Sequence, residues 1–194
     1  MSAPQQSVLP EAKSPRVTPV GRALASYFAR PQAAMPWPRI AAAAAAGAIT
    51  IAVLGLLSDS TGFPLLVATF GSSCVLVFTL PDSPLSRPAN VIGGHVAAAL
   101  CGLLARFALP EAWWSLALGV GAALALMAAL RVTHPPAGGT PIAIMLAHEG
   151  WGYILAPILL GAIIVAVCGS IYRSLSAAAR KRVRRTRIAS GEPR

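Results

Sequence analysis

Two histidines and a few hydroxyl and glycine residues carry the chemistry this chain can offer. His134 sits in Arg131-Val132-Thr133-His134-Pro135-Pro136-Ala137-Gly138-Gly139-Thr140-Pro141, a run that interrupts a long apolar sequence with a histidine and three prolines. Imidazole exchanges protons near neutral pH, and its N–H can donate to an anion. Gly138, Gly139 and Thr140 then supply small residues for close backbone approach and a hydroxyl that can cap a helix or donate to a ligand. Gly71, Ser72 and Ser73 offer the same set upstream, in the middle of another apolar segment. His95 follows Gly93 and Gly94, with Asn90 five positions earlier and close to the same helix face. A half-helix that starts at such a break aims its unpaired N–H groups and partial positive charge at whatever lies before it. The chemistry this favours is the binding of a small anion. His134 has a second reading, as a cap for carbonyls left free by Pro135 and Pro136, and the sequence leaves both open. For His95, a hydrogen bond to a neighbouring helix is favoured over ligand contact.

The elements that must position these residues are membrane helices. The chain is 56% hydrophobic and 11% charged, and several stretches of about 20 residues are nearly free of charge, the length a spanning helix needs. Of the net charge of +10, residues 1–39 carry +4 and residues 173–194 carry +7. Basic flanks stay on the cytoplasmic side, so both termini are expected inside, with an even number of crossings. The Arg180-Lys181-Arg182-Val183-Arg184-Arg185 cluster reads as an anchor meeting anionic lipid head groups, in preference to a nucleic-acid site. Residues 1–37, rich in Pro, Ser, Ala and Gln, read as a disordered basic cytoplasmic tail and not as a cleaved signal, with an organelle transit peptide as the second reading. Residues 38–173 form the transmembrane domain, and 174–194 a second basic tail. A bacterial inner membrane is the default location. Cys74, Cys101 and Cys168 all fall in apolar segments without metal spacing and are read as buried thiols.

Five apolar segments are predicted: 40–57, 63–80 with Gly71-Ser72-Ser73 as its break, 90–109, 112–130 and 151–172. Trp113 and Trp114 are placed as interfacial anchors. An odd count conflicts with two cytoplasmic tails. A broken crossing over residues 132–149, extended to Pro136 and helical after Gly139, would resolve it by spanning roughly 30 Å. Shifting the chain by 67 residues puts Gly71 on Gly138, Ala89 on Ala156, Gly94 on Gly161, Ala99 on Ala166, Cys101 on Cys168, Gly102 on Gly169 and Arg106 on Arg173. Ser73 falls on Thr140. The expected fold is therefore an all-α polytopic membrane protein, a helical bundle with two broken or re-entrant segments. One form of it is an inverted 3+3 repeat, the plan of many secondary transporters. Four spans with two re-entrant loops is the rival.

No enzyme constellation is visible: there is no HExxH, no phosphate loop and no recognisable triad. Asp59, Asp82, Glu111 and Glu149 all fall in loops, whereas a sodium-coupled carrier usually needs oxygen ligands within the span. Neither a cofactor nor a metal is expected, and His148 beside Glu149 reads as a solvated turn.

The Thr133–Pro141 run, the Pro84, Arg87, Asn90, Gly93, Gly94, His95 string and the later Gly150-Trp151 and Gly161 together resemble the HPP family of integral membrane proteins. The resemblance covers about residues 38–173. It implies a membrane protein usually described with four spans, some members of which are associated with nitrite transport. Gly139 stands where members more often have alanine. Two functions follow as expectations: passage of a small anion, with nitrite as the substrate the resemblance supplies, or a non-transporting scaffold whose basic C-terminal tail binds lipid or a partner. Either is compatible with a homo-oligomer in the bilayer.

Overall fold

The computed structural model describes residues 18, 20, 24, 26–29 and 32–189, without the side chains of 184 and 187–189. The tail expected over 1–37 falls largely outside these residues, as do residues 190–194. Met1–Met35 form a unit of their own, whose described residues include a helical turn closed by Phe28 N–H on the Leu24 carbonyl.

Pro36–Arg194 form the second unit, whose described part is built from helices. The first, α1, runs over Trp37–Thr61 and ends at Gly62, which takes the left-handed φ of +73° and returns its N–H to Ser58. Such a terminus suits glycine because a Cβ would be strained there. Pro64 has no N–H to continue a helix, and Ser58 ties down the extended residues beyond by donating to the Phe63 carbonyl and accepting from Leu65 N–H. The second helix, α2 (Ala68–Thr79), starts only after this stretch. Ser86, buried in a short 3₁₀ turn at Pro84–Ser86, donates to the carbonyls of Leu76 and Leu80 and so closes its end.

Helix α3 (Pro88–Ala108) opens with proline in the first turn, where no donor is lost, and stops before Leu109-Pro110. It is followed by α4 (Trp113–Ala129), with Ser115 holding the Pro110 carbonyl at 2.7 Å. Arg131, left-handed at φ 57°, ends that helix. Residues 132–134 are extended, Pro135–Gly139 form a 3₁₀ turn, and α5 (Thr140–Leu146) follows. His148, again left-handed at φ 54°, closes this segment. The chain then makes a 3₁₀ turn at Trp151–Ile154, an irregular turn at Leu155–Leu159 with Ala156 extended, and the final helix α6 (Leu160–Ala189).

Helix α3 is the axis of the bundle, packed against α4, α5 and α6. Contacts along it give the direction of the broken segment: Asn90 binds Thr133, Gly94 faces His134, His95 meets Thr140, and Gly102 faces Pro141. Residues 132–146 therefore run parallel to α3. At the far end Glu111 pairs with His148 at 3.2 Å and Phe107 stacks on Trp151 at 5.6 Å. At the near end Asp82 meets Arg180 at 3.3 Å. Three helical stretches, Trp37–Thr61, Pro88–Ala108 and Trp151–Val183, are long and apolar enough to cross a membrane; α2 and α4 are apolar but shorter. By length, α2 with its extended lead-in covers roughly 30 Å, and so does the composite of residues 132–146.

Three expectations need correction. The first break lies at Gly62–Val67, not at Gly71: helix interiors tolerate a glycine at about 1 kcal/mol, whereas a left-handed turn followed by proline stops the helix. The last span is not one helix from Trp151, since Pro157 cannot donate a helical bond and regular structure begins at Leu160. That helix also does not end at Tyr172, because α6 continues to Ala189 through alanine, arginine and lysine, which are good helix formers.

Candidate functional site

The two broken segments meet at one polar cluster. Ser73 Oγ on α2 lies 2.9 Å from His95 Nε2 on α3 and 2.9 Å from His134 Nε2, which sits just before the Pro135 turn. The same oxygen is 3.0 Å from the Thr69 carbonyl one helical turn earlier. His95 Nδ1 is 3.2 Å from Thr140 Oγ1, and His134 Nδ1 is 2.9 Å from the Leu85 carbonyl. The imidazole rings are 5.3 Å apart, and Phe70 stands edge-on to His95 at 5.0 Å. Ser73, His95, His134 and Thr140 are all 0% exposed. A buried polar group is costly unless bonded, and these four satisfy one another.

The proton positions follow from the partners. A carbonyl only accepts, so Leu85 takes a proton from His134 Nδ1, and in the neutral ring Nε2 must accept. Ser73 has one proton and gives it there. Its oxygen then accepts from His95 Nε2–H, which leaves His95 Nδ1 to accept from the Thr140 hydroxyl. The two neutral histidines thus hold opposite tautomers.

Glycine permits this proximity. A Cβ on Gly94 would stand 2.6 Å from His134 Cβ and 3.0 Å from the Val132 carbonyl, and one on Gly102 2.7 Å from Pro141 Cα. Gly161 and Gly169 of α6 are covered in the same way by Phe70 and Val77 of α2.

Among the residues singled out by sequence, His134, His95, Ser73 and Thr140 come together. Asn90 lies at the edge, donating to the Thr133 carbonyl at 2.9 Å and fixing the extended stretch that carries His134. Gly138 and Gly139 belong to the 3₁₀ turn, and Gly139 faces the Thr69 methyl. Gly71 and Ser72 are separate from the cluster: they lie inside α2, Ser72 exposed and Gly71 with open space beside its Cα. His134 binds a carbonyl 49 residues away instead of those beside its own prolines. His95 bonds to Ser73 of α2 and Thr140 of α5.

Thr69 was not anticipated. It sits in the first turn of α2 at 8% exposure, and its Oγ1 has no hydrogen-bond partner. Its spacing of four before Ser73 was the available signal. Two acids, Asp82 and Glu111, are taken up in pairs at the two ends of the bundle, and no group of three or more metal-binding side chains occurs among the described residues.

Residues 32–183 match the family described as HPP, transmembrane region. The chain belongs to the HPP family. Two Dictyostelium discoideum relatives, each described as a transmembrane protein, are 34% identical to this HPP chain over 125 residues. That stretch is 60% of this chain and 43% and 39% of theirs, so it spans about two fifths of the length of these curated relatives. No solved structure matches. This HPP protein is an integral membrane protein, and its motif histidine, His134, is fully buried against Ser73 of α2.

Proposed function

We propose that this HPP protein passes a small monovalent anion, with nitrite as the first candidate, between the start of α2 and the Pro135–Gly139 turn. The observation that carries the reading is Thr69. Its buried Oγ1 is without a partner in the first turn of α2, where Phe70 N–H is held by the Val67 carbonyl and no side chain caps the leading N–H groups. Gly139 lies directly opposite. Unused donors at a helix start, in apolar surroundings with no carboxylate, suit an anion and repel a cation. The site of the sequence reading is thereby shifted from Gly71 to Thr69, with His134 and Thr140 kept.

An inverted repeat fits this reading. Under the 67-residue shift, α2 falls on residues 135–146 and the 3₁₀ turn at Pro84–Ser86 on the one beginning at Trp151. Ser73 and Thr140 become equivalent, and both bond to His95. The glycines of α3 pack on the second broken segment, while their α6 counterparts pack on the first. Six crossings with both basic ends cytoplasmic follow, the exposed residues of the α6 extension facing anionic head groups.

Catalysis fits less well. Ser73 Oγ gives its one proton to His134 and accepts from His95, so its hydroxyl is already engaged with two neighbours. A scaffold role would draw on the basic extension of α6 alone, and would leave the orphan Thr69 hydroxyl without purpose.

The test is Thr69→Val, which preserves shape. Removing an unsatisfied buried hydroxyl is expected to leave stability unchanged or raise it by about 1 kcal/mol. Nitrite influx into proteoliposomes is expected to fall well below wild type. Influx equal to wild type in a stably folded Thr69→Val protein would remove the site from this surface.

A further inference from the structure

Ser73 has more acceptors than protons. Its single hydroxyl hydrogen can go to His134 Nε2 at 2.9 Å or to the Thr69 carbonyl at 3.0 Å, while its oxygen faces His95 Nε2 at 2.9 Å. With His134 neutral, the hydrogen goes to Nε2, as above. With a second proton on His134, Nε2–H becomes a donor, and Ser73 rotates its hydrogen to Thr69 and accepts from both rings. Every group keeps a partner in both states. His95 differs: protonating its Nδ1 would remove the acceptor that the Thr140 hydroxyl uses.

We propose that Ser73 is a proton switch that ties passage of the anion, on the reading of the preceding section, to one proton held on His134. The step adds a proton to His134 Nε2 and rotates one O–H; no other bond forms or breaks. The titratable group facing His134 is His95. Ser73 faces it from α2 and a carbonyl from residues 84–86. Cys74 of α2 lies against Gly47 of α1 instead, and Cys101 of α3 packs in the cluster around Ala137 and Met127. Asp82 and Glu111 are paired at the bundle ends. An imidazolium there has no carboxylate to balance it, and an isolated charge in apolar surroundings is costly. The counterion is the transported anion, so proton and anion bind together, each strengthening the other equally.

The test uses the full chain with ¹⁵N-labelled histidine in nanodiscs. His148→Asn removes the third ring while keeping a residue that accepts a left-handed φ. At mildly alkaline pH the two remaining rings are expected as one Nδ1–H and one Nε2–H tautomer. On acidification the Nδ1–H ring should gain the second proton first. Like tautomers, or first protonation of the Nε2–H ring, would overturn the switch without reference to any transport assay. In proteoliposomes with an internal pH dye, one proton should enter per nitrite above the protein-free background, which corrects for permeation of nitrous acid. Apparent nitrite affinity should rise about tenfold per unit fall in pH while His134 is neutral. Ser73→Ala should flatten that dependence and Ser73→Thr restore it. Nitrite influx without proton uptake overturns the coupling and leaves the anion reading standing. No influx above background overturns the anion reading and the coupling with it, whatever the tautomers.

Discussion

His134→Ala is expected to cost about 3 kcal/mol of folding stability, the largest effect of any single side-chain truncation in the cluster. The imidazole is fully buried and holds two partners, Ser73 and the Leu85 carbonyl. Its loss leaves a ring-sized cavity and strands both. Hydrogen bonds in membrane proteins average only about 0.6 kcal/mol, so most of the loss comes from the cavity and the orphaned groups. The measurement is the unfolding midpoint in a denaturing-detergent titration, beside His134→Gln, whose amide keeps one of the two bonds and most of the volume. The glutamine variant should lose about 1 kcal/mol. A loss below about 1 kcal/mol for the alanine variant would mean that the ring is not packed as described.

The second large effect concerns α3. Gly94→Ala and Gly102→Ala each place a methyl against atoms that cannot give way cheaply: His134 Cβ and the Val132 carbonyl in one case, Pro141 Cα in the other. The broken segment must move off α3, at about 1–3 kcal/mol for each substitution. The two glycines are eight residues apart, about 12 Å along the helix, so the costs should nearly add in the double variant. Gly71→Ala and Gly138→Ala serve as contrasts, since an added Cβ meets nothing within 4 Å at either position. Neither should destabilise, and Gly71→Ala should gain a few tenths of a kcal/mol from helix propensity. Thermal unfolding in detergent separates the two pairs; equal effects in both would contradict the close packing on α3.

Much of this arrangement was legible because the residues concerned are out of place in hydrocarbon. His134, His95 and Thr140 stand out in apolar segments, and burial forces such groups to find one another. Ser73 was reached through its alignment with Thr140. Its place between two histidines was not, since three elements distant in sequence had to converge to build it. The break was misplaced because Gly71 resembles Gly138 in composition, while the turn that interrupts the chain depends on a left-handed Gly62 and on Pro64. Thr69 was invisible for another reason. A threonine inside an apolar helix usually returns its hydroxyl to its own backbone, and only the folded arrangement reveals that this one does not. The end of α6 was missed because hydropathy marks where apolar sequence stops and says nothing of where helix stops. Here three stretches meet the length for crossing, and such a count leaves out α2 and α4 as well as the broken segment that bears the motif histidine.

On the proposed function, a small anion passes at a site served by His134. The most direct measurement is nitrite influx into proteoliposomes carrying His134→Gln, compared with wild type at equal amounts of folded protein. Wild type should admit nitrite above the protein-free background, faster as external pH is lowered, and the variant should stay at that background at every pH. Influx through His134→Gln equal to wild type, with the same pH dependence, would contradict the claim.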